Sequence, residues 1–239
     1  MARSTGSKSD LKKLPVRVLL VDSDPLLREQ LAHIVTAEDG LVVCGQAEDR
    51  AKAVQLTEAH KPGLVITDLW LKKSHGLELI KDLQARLPAV LVLVVSTHDS
   101  WFYAARAIRA GARGYVTKRA TAETIIQAIH CVLRGKVYLT DAFAQKMNAT
   151  LANAKVQQHR ATGPDNLTDR ELEVFELIGF GLDSRQIAEQ MRLDISTVDT
   201  YRAHIKTKLR VQDSSDLLRQ AITWVHGSPS GKGTEESSG

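Results

Sequence analysis

From Val16 to Arg134 short apolar runs alternate with segments of helical period, and this alternation constrains the chain more than any other feature it has. The apolar runs, at 16–21, 41–46, 63–67, 90–95 and 113–116, have the length of strands buried on both faces. The segments between and after them, near 25–37, 50–60, 77–86, 101–110 and 122–134, carry the period of amphipathic helices. Parallel neighbours in a sheet need a crossover, and a helix is the usual one, so strict strand–helix succession predicts an α/β doubly wound, five-stranded parallel sheet. Its crossovers should be right-handed, with functional residues gathered at the carboxyl ends of the strands.

Beyond Gly135 the pattern changes. A short extended piece at 137–139 and a helix from Asp141 lead into a polar stretch at 155–165, rich in Gln, Arg and Gly, that reads as a linker. From Leu167 there are four helical segments, at 169–179, 184–190, 196–209 and 213–225, and no strand pattern, which predicts a small all-α domain. The expected organisation is a flexible arm at 1–15, the α/β domain at 16–136, a linker with a helix at 137–165, a four-helix domain at 166–226 and a disordered Gly/Ser tail at 227–239.

Composition narrows the setting. With 43% hydrophobic residues in 239, there is enough apolar material for two cores. No apolar run approaches the roughly 18 to 20 residues that span a bilayer, and the N-terminus is polar and basic, so the expectation is a cytoplasmic protein without a membrane partner. Cys44 and Cys131 lack metal-ligand spacing and read as reduced, buried packing residues. The net charge of +4 suits nucleic-acid binding but decides little, because much of it lies in the terminal arm and 166–226 holds more acidic than basic residues.

Four strands end in residues with chemistry: Asp22 after the first, Asp68 after the third, Ser96 after the fourth and Lys118 just past the fifth. Singly, each has an ordinary reading, since Asp and Ser cap helices and Lys is commonly solvated. Jointly, they converge on one rim of a doubly wound sheet. Two carboxylates, a hydroxyl and an ammonium suit phosphoryl chemistry: a metal offsets carboxylate charge, one carboxylate attacks, and the cation and hydroxyl hold the transferred group.

The runs Val18-Leu19-Leu20-Val21-Asp22, Asp68, Ser96-Thr97-His98-Asp99 and Ala110-Gly111-Ala112-Arg113-Gly114-Tyr115-Val116-Thr117-Lys118 resemble the receiver domain of two-component response regulators of the NarL/FixJ type. The resemblance implies that Asp68 accepts a phosphoryl group from a sensor histidine kinase, with Mg2+ held by Asp22, Asp68 and the backbone carbonyl of Trp70. It implies further that Ser96 moves to bond the phosphoryl oxygens, that Tyr115 turns inward behind it, and that Lys118 pairs with the charge.

Two departures stand out. The family usually has two adjacent acidic residues after the first strand, the second a direct metal ligand, whereas this chain reads Asp22-Ser23. A charge lost a few Å from Mg2+ forfeits up to about 4 kcal/mol of attraction at an effective dielectric of about 20, much of it returned by solvation. Asp24 either reaches the ion or, as Asp24-Pro25 suggests, caps the first helix. The loop after Asp68, at 69–76, lacks the Pro and acidic residue the family commonly has there, and its Lys72 and Lys73 either add charge near the pocket or are solvated.

At the C-terminal domain Thr168 with Glu171 three positions on is a helix-start signal. A short helix from Ser184, a turn at 193–196 and a longer helix follow, an arrangement that presents the second helix to a DNA major groove. Arg202, Lys206 and Arg210 recur on that helix at helical spacing, with Lys208 and His204 nearby, and Val198, Ile205 and Leu209 form an apolar stripe. Leu167-Thr168 with Arg170-Glu171, Ile187-Ala188 and Ser196-Thr197-Val198 are similar to the LuxR-type DNA-binding domain. That similarity places Thr197, Asp199, Thr200, Arg202 and Ala203 at positions of base or phosphate contact and makes Lys206 and Lys208 phosphate partners on double-stranded DNA. Asp199 departs from it, since many relatives have Lys there and a carboxylate repels phosphates.

The expected protein is therefore a transcription regulator, not an enzyme, active as a homodimer and controlled through Asp68. An aspartyl phosphatase needs a second acid two residues after its nucleophile, where this chain has Trp70, and a dinucleotide-binding protein needs a glycine-rich turn where it has Asp22-Ser23-Asp24-Pro25. The alternative is an atypical, phosphorylation-independent receiver that serves as a protein-interaction module.

Overall fold

The structure is a computed structural model, which describes residues 14–72, 74–97, 101–141, 143, 145, 163–191 and 193–226. Most of the expected arm and linker, the whole tail, Lys73, and His98 and Asp99 of the receiver-like motif lie outside the described residues. Two compact units make up the chain, the first built from 1–140 apart from 73–77, which groups with 141–239 in the second.

Between residues 16 and 133 the strands are β1 (Val16–Val21), β2 (Leu41–Ala47), β3 (Leu64–Thr67), β4 (Trp70–Leu71), β5 (Ser74–His75), β6 (Leu91–Ser96) and β7 (Gly114–Thr117). The helices of that stretch are α1 (Pro25–Thr36), α2 (Arg50–His60), α3 (Gly76–Arg86), α4 (Trp101–Ala110) and α5 (Ala122–Leu133). Five strands form one parallel sheet in the order β2-β1-β3-β6-β7, the doubly wound sheet that strand–helix succession predicts. The order reverses direction at β1, so the crevice above β1 and β3 is the place where such a sheet collects its chemistry.

Covered on both faces, the central strands exclude water: Leu64 through Thr67 are all buried, as are Val18 through Val21. Leu20, Ile66, Leu93 and Val116 meet Val35 of α1 and Ile125, Ala128 and Ile129 of α5 in one apolar cluster. Asp24 settles one open reading, because its carboxylate accepts from the amides of Leu26 and Leu27 and so caps α1, with Pro25 in the first turn. Gly111 follows α4 with φ of +115°, and a Cβ there would lie 2.3 Å from Gln84, so conformation and space both require glycine.

Two details depart from expectation. The loop after Asp68 contains a two-stranded ribbon, β4 with β5, too short to leave a periodic signal. Cys44 and Cys131 are free thiols, but each is only half-buried, because β2 is an edge strand and Cys131 lies on the outer side of α5.

The second unit contains α6 (Asp169–Gly179), α7 (Ser184–Met191), α8 (Ile195–Leu209) and α9 (Ser214–His226). Thr168 and Glu171 form a reciprocal capping box at the start of α6, with Thr168 N donating to Glu171 Oε2 at 2.7 Å and Glu171 N to Thr168 Oγ1 at 3.3 Å. Gly179 ends α6 against α9, where a Cβ would fall 2.5 Å from the carbonyl oxygen of Ala221. Phe175, Ile187, Val198, Ile205 and Leu217, one or more from each helix, are fully buried and make the core. Among the described residues no helix is long and apolar enough to cross a membrane.

Candidate phosphoacceptor pocket and DNA-binding helix

The C-terminal ends of β1, β3, β6 and β7 bring Asp22, Asp68, Ser96 and Lys118 to one rim, as the strand-end positions predicted. All four lie in the protein: Asp22 is 1% exposed, Asp68 4%, Ser96 0% and the Lys118 side chain 9%. Lys118 Nζ sits between the carboxylates, 2.8 Å from Asp68 Oδ2 and 2.6 Å from Asp22 Oδ2. Register holds it there, because its backbone amide donates to the carbonyl of Ser96 at 2.7 Å and so continues the β6–β7 pairing beyond the strand end. Tyr115, three residues before Lys118 on β7 and opposite Val94 of β6, is fully buried.

The other carboxylate oxygens are held by the backbone. Asp22 Oδ1 accepts from Asp24 N at 2.9 Å and Asp68 Oδ1 from Leu69 N at 2.6 Å. Arg28 of α1 donates to the carbonyl of Asp22. These contacts fix both carboxylates with their Oδ2 atoms toward a shared gap.

One ammonium does not balance two buried carboxylates. Burial lifts the Asp22 pKa above the ordinary carboxylate range, and the neighbouring Asp68 charge adds to the rise; the bonds from Lys118 and Asp24 act against it without reversing it. Burial works to lower Lys118, but two facing carboxylates raise it above its usual value and keep it charged.

Trp70 brings its carbonyl to the same rim, and that oxygen accepts from Ser23 Oγ at 3.0 Å. Lys72 does not enter the pocket: its ammonium pairs with Glu48 at 3.1 Å and its amide donates to the Glu48 carbonyl at 3.0 Å, which anchors the loop to the β2–α2 turn. Asp22, Asp68 and the Trp70 carbonyl offer hard oxygen donors of the kind Mg2+ takes. Among the described residues no group of three or more acidic, His or Cys side chains gathers, so the set has two carboxylates and no third.

On α8, Val198 and Ile205 face the core, while Asp199, Thr200 and Ala203 are exposed and Thr197, Arg202 and Lys206 half-exposed. Three expected positions have local partners that the spacing did not disclose. Asp199 Oδ1 accepts from Ser184 Oγ at 2.8 Å, bracing α8 against the start of α7. Lys208 Nζ donates to Glu171 Oε2 at 2.6 Å, beside the capping box, and Thr200 Oγ1 donates back to the Ser196 carbonyl at 2.8 Å. Arg210 leaves the basic row that helical spacing suggested, because it is the C-cap of α8 in the left-handed region, with φ of +55°. Leu209 is half-buried rather than fully part of the apolar stripe.

A parallel five-stranded sheet with an acidic rim, followed by four helices that include a braced helix-turn-helix, defines the class: a receiver domain joined to a DNA-binding module. Comparison with known families agrees. The response regulator receiver domain matches residues 18–130 and the luxR family of bacterial regulatory proteins matches 165–221. Relatives include an uncharacterized transcriptional regulatory protein, YxjL, of Bacillus subtilis, 32% identical with 89% of this chain and 97% of the relative covered. The transcriptional activator protein ExaE of Pseudomonas putida is 34% identical, with 86% and 95% covered. Among solved structures, the RcsB response regulator of Salmonella typhimurium aligns with a TM-score of 0.69 over 88% of this chain and 98% of that one; at 18% identity this likeness is one of fold. The chain belongs to the LuxR-type response regulators, transcription regulators of the two-component kind.

Proposed function

We propose that Asp68 is the phosphoacceptor through which a sensor histidine kinase controls dimerisation and DNA binding by this regulator. The observation that carries the reading is the Lys118 ammonium held between Asp22 and Asp68, within 2.8 Å of both carboxylates. A carboxylate oxygen of Asp68 attacks the phosphorus of the kinase phosphohistidine; the P–N bond breaks, the imidazole keeps the electron pair, and an acyl phosphate forms. Lys118 stays protonated and moves its pairing to the phosphoryl oxygens, and the buried Ser96 hydroxyl supplies a neutral donor on the other side. Asp22, Asp68 and the Trp70 carbonyl would hold Mg2+, which would supply further positive charge to those oxygens. Burial, with a smaller contribution from the Asp68 charge, raises the Asp22 pKa, and a cation beside the two carboxylates would offset both costs.

In this reading the receiver extends over 16–136, 137–165 links it to the helix-turn-helix domain at 166–226, and the protein works in the cytoplasm. Tyr115, buried on the strand beside Ser96, would turn inward behind it on phosphorylation and so couple the pocket to the surface. Thr197, Thr200, Arg202, Ala203 and Lys206 contact DNA. Asp199 and Lys208, braced by Ser184 and Glu171, orient α8 and reach DNA only at its margins. Two copies on a two-fold repeated site gain from high effective concentration, so a modest rise in dimer population produces a large rise in occupancy.

The test is incorporation of a phosphoryl group from acetyl phosphate, with and without Mg2+, into the native chain and into Asp68→Asn. The expected result is metal-dependent, acid-stable and base-labile labelling that Asp68→Asn abolishes. Labelling that survives Asp68→Asn would place the acceptor elsewhere.

A further inference from the structure

Ser23 is exposed and stands directly beside Asp22, yet its hydroxyl is committed to a residue 47 positions away, the carbonyl of Trp70. A cation held by Asp22, Asp68 and that carbonyl would do two jobs, neutralising the carboxylates and tying the β1–α1 loop to the loop after β3. In this structure both jobs are done by side chains. Lys118 Nζ lies within ion-pair distance of both carboxylates, and the Ser23–Trp70 bond joins the two loops. The same loop is held from its other side by Lys72 on Glu48, so Ser23 closes the end nearest the acidic residues.

We propose that Ser23 is a positioning residue that, with Lys118, stands in for the divalent cation, so that Mg2+ must compete with the Ser23–Trp70 bond for the Trp70 carbonyl. The inference rests on Asp68 and its neighbours being the cation site. Its consequence differs from that of a merely missing charge. Replacing a bystander serine by alanine leaves cation affinity unchanged, and replacing a serine that helps hold the cation lowers it. Removing a competitor raises it. A hydrogen bond of ordinary net strength corresponds to about a two- to tenfold change in an equilibrium constant.

The experiment is calorimetric titration of the full chain with MgCl2, for the native protein, Ser23→Ala and Ser23→Asp, together with thermal unfolding of each without Mg2+. An exposed serine can be replaced without endangering the fold. The expected result is that Ser23→Ala binds Mg2+ about two- to tenfold more tightly than the native chain and unfolds at a slightly lower temperature without the ion. Ser23→Asp should bind more tightly still, because it also restores a charge. Equal or weaker binding by Ser23→Ala, or no binding by either it or the native chain, overturns the proposal. Labelling of Asp68 from acetyl phosphate is read separately on the same variants. Labelling that persists while the affinity order fails removes only the role of Ser23; absence of labelling even in Ser23→Asp removes the Asp68 reading itself.

Discussion

Each unit of this protein buries a carboxylate against a lysine, and the two pairs titrate in opposite directions. Glu171, at the start of α6, is 3% exposed, and burial pushes its pKa up; hydrogen bonds from Lys208 and from Thr168 outweigh that and hold it below the usual carboxylate range. Asp22 is as deeply placed, but its lysine is shared with Asp68 and its neighbour adds repulsion, so burial prevails. The difference separates structure from function. A satisfied carboxylate is a joint between helices, whereas an under-compensated one marks a site that gains by receiving a cation or by losing charge to chemistry.

The comparison can be broken first at the helical joint. Lys208→Met leaves the buried Glu171 with the capping-box bonds and the His204 ring 3.7 Å away, and it should destabilise the C-terminal unit by about 1–2 kcal/mol, at the low end for a charged hydrogen bond because Lys208 is partly solvated. Urea unfolding followed through the C-terminal unit measures it. A loss of DNA affinity with unchanged stability would instead make Lys208 a phosphate partner of the kind its position on the helix suggests.

A smaller effect sharpens the same contrast through pH. Glu171 has a lowered folded pKa, so its contribution is present above the ordinary carboxylate value and is lost as pH falls through the lowered one. Asp22 has a raised folded pKa, so its contribution is greatest below the ordinary value and is lost as pH rises through the raised one. Acidification should therefore first relieve the Mg2+-free receiver, above the ordinary carboxylate value, and weaken the C-terminal unit only below that value. Amide exchange of α6 and of β1 and β3, measured across the carboxylate range, checks the opposite signs; parallel changes would show that the two pairs do not differ in balance.

Much of this arrangement was legible in the sequence, because it follows from periodicity and from what stands at strand ends. The runs that became β1, β3, β6 and β7 are mainly apolar, so the charged residues directly after three of them, Asp22, Asp68 and Lys118, stand out, with Ser96 at the close of β6. The capping box at Thr168 and Glu171 was legible for a similar reason, as its partners are three residues apart. Contacts between distant positions were not. Nothing local to Ser23 points to Trp70, nothing near Glu171 points to Lys208, and nothing near Asp199 points to Ser184. Arg210 was misplaced because helical spacing carries no record of where a helix stops, and the left-handed cap that stops α8 is occupied by arginine rather than the usual glycine.

The central claim, that phosphorylation of Asp68 governs the DNA-binding half, is tested most directly by DNA affinity with and without a phosphodonor. Native protein and Asp68→Asn are titrated onto a DNA site selected from random sequence, in Mg2+, before and after acetyl phosphate. The account predicts tighter binding by the native chain after treatment, with steeper dependence on protein concentration, and no change in Asp68→Asn. Equal affinity of the native chain in both states, with Asp68 demonstrably labelled, would contradict it.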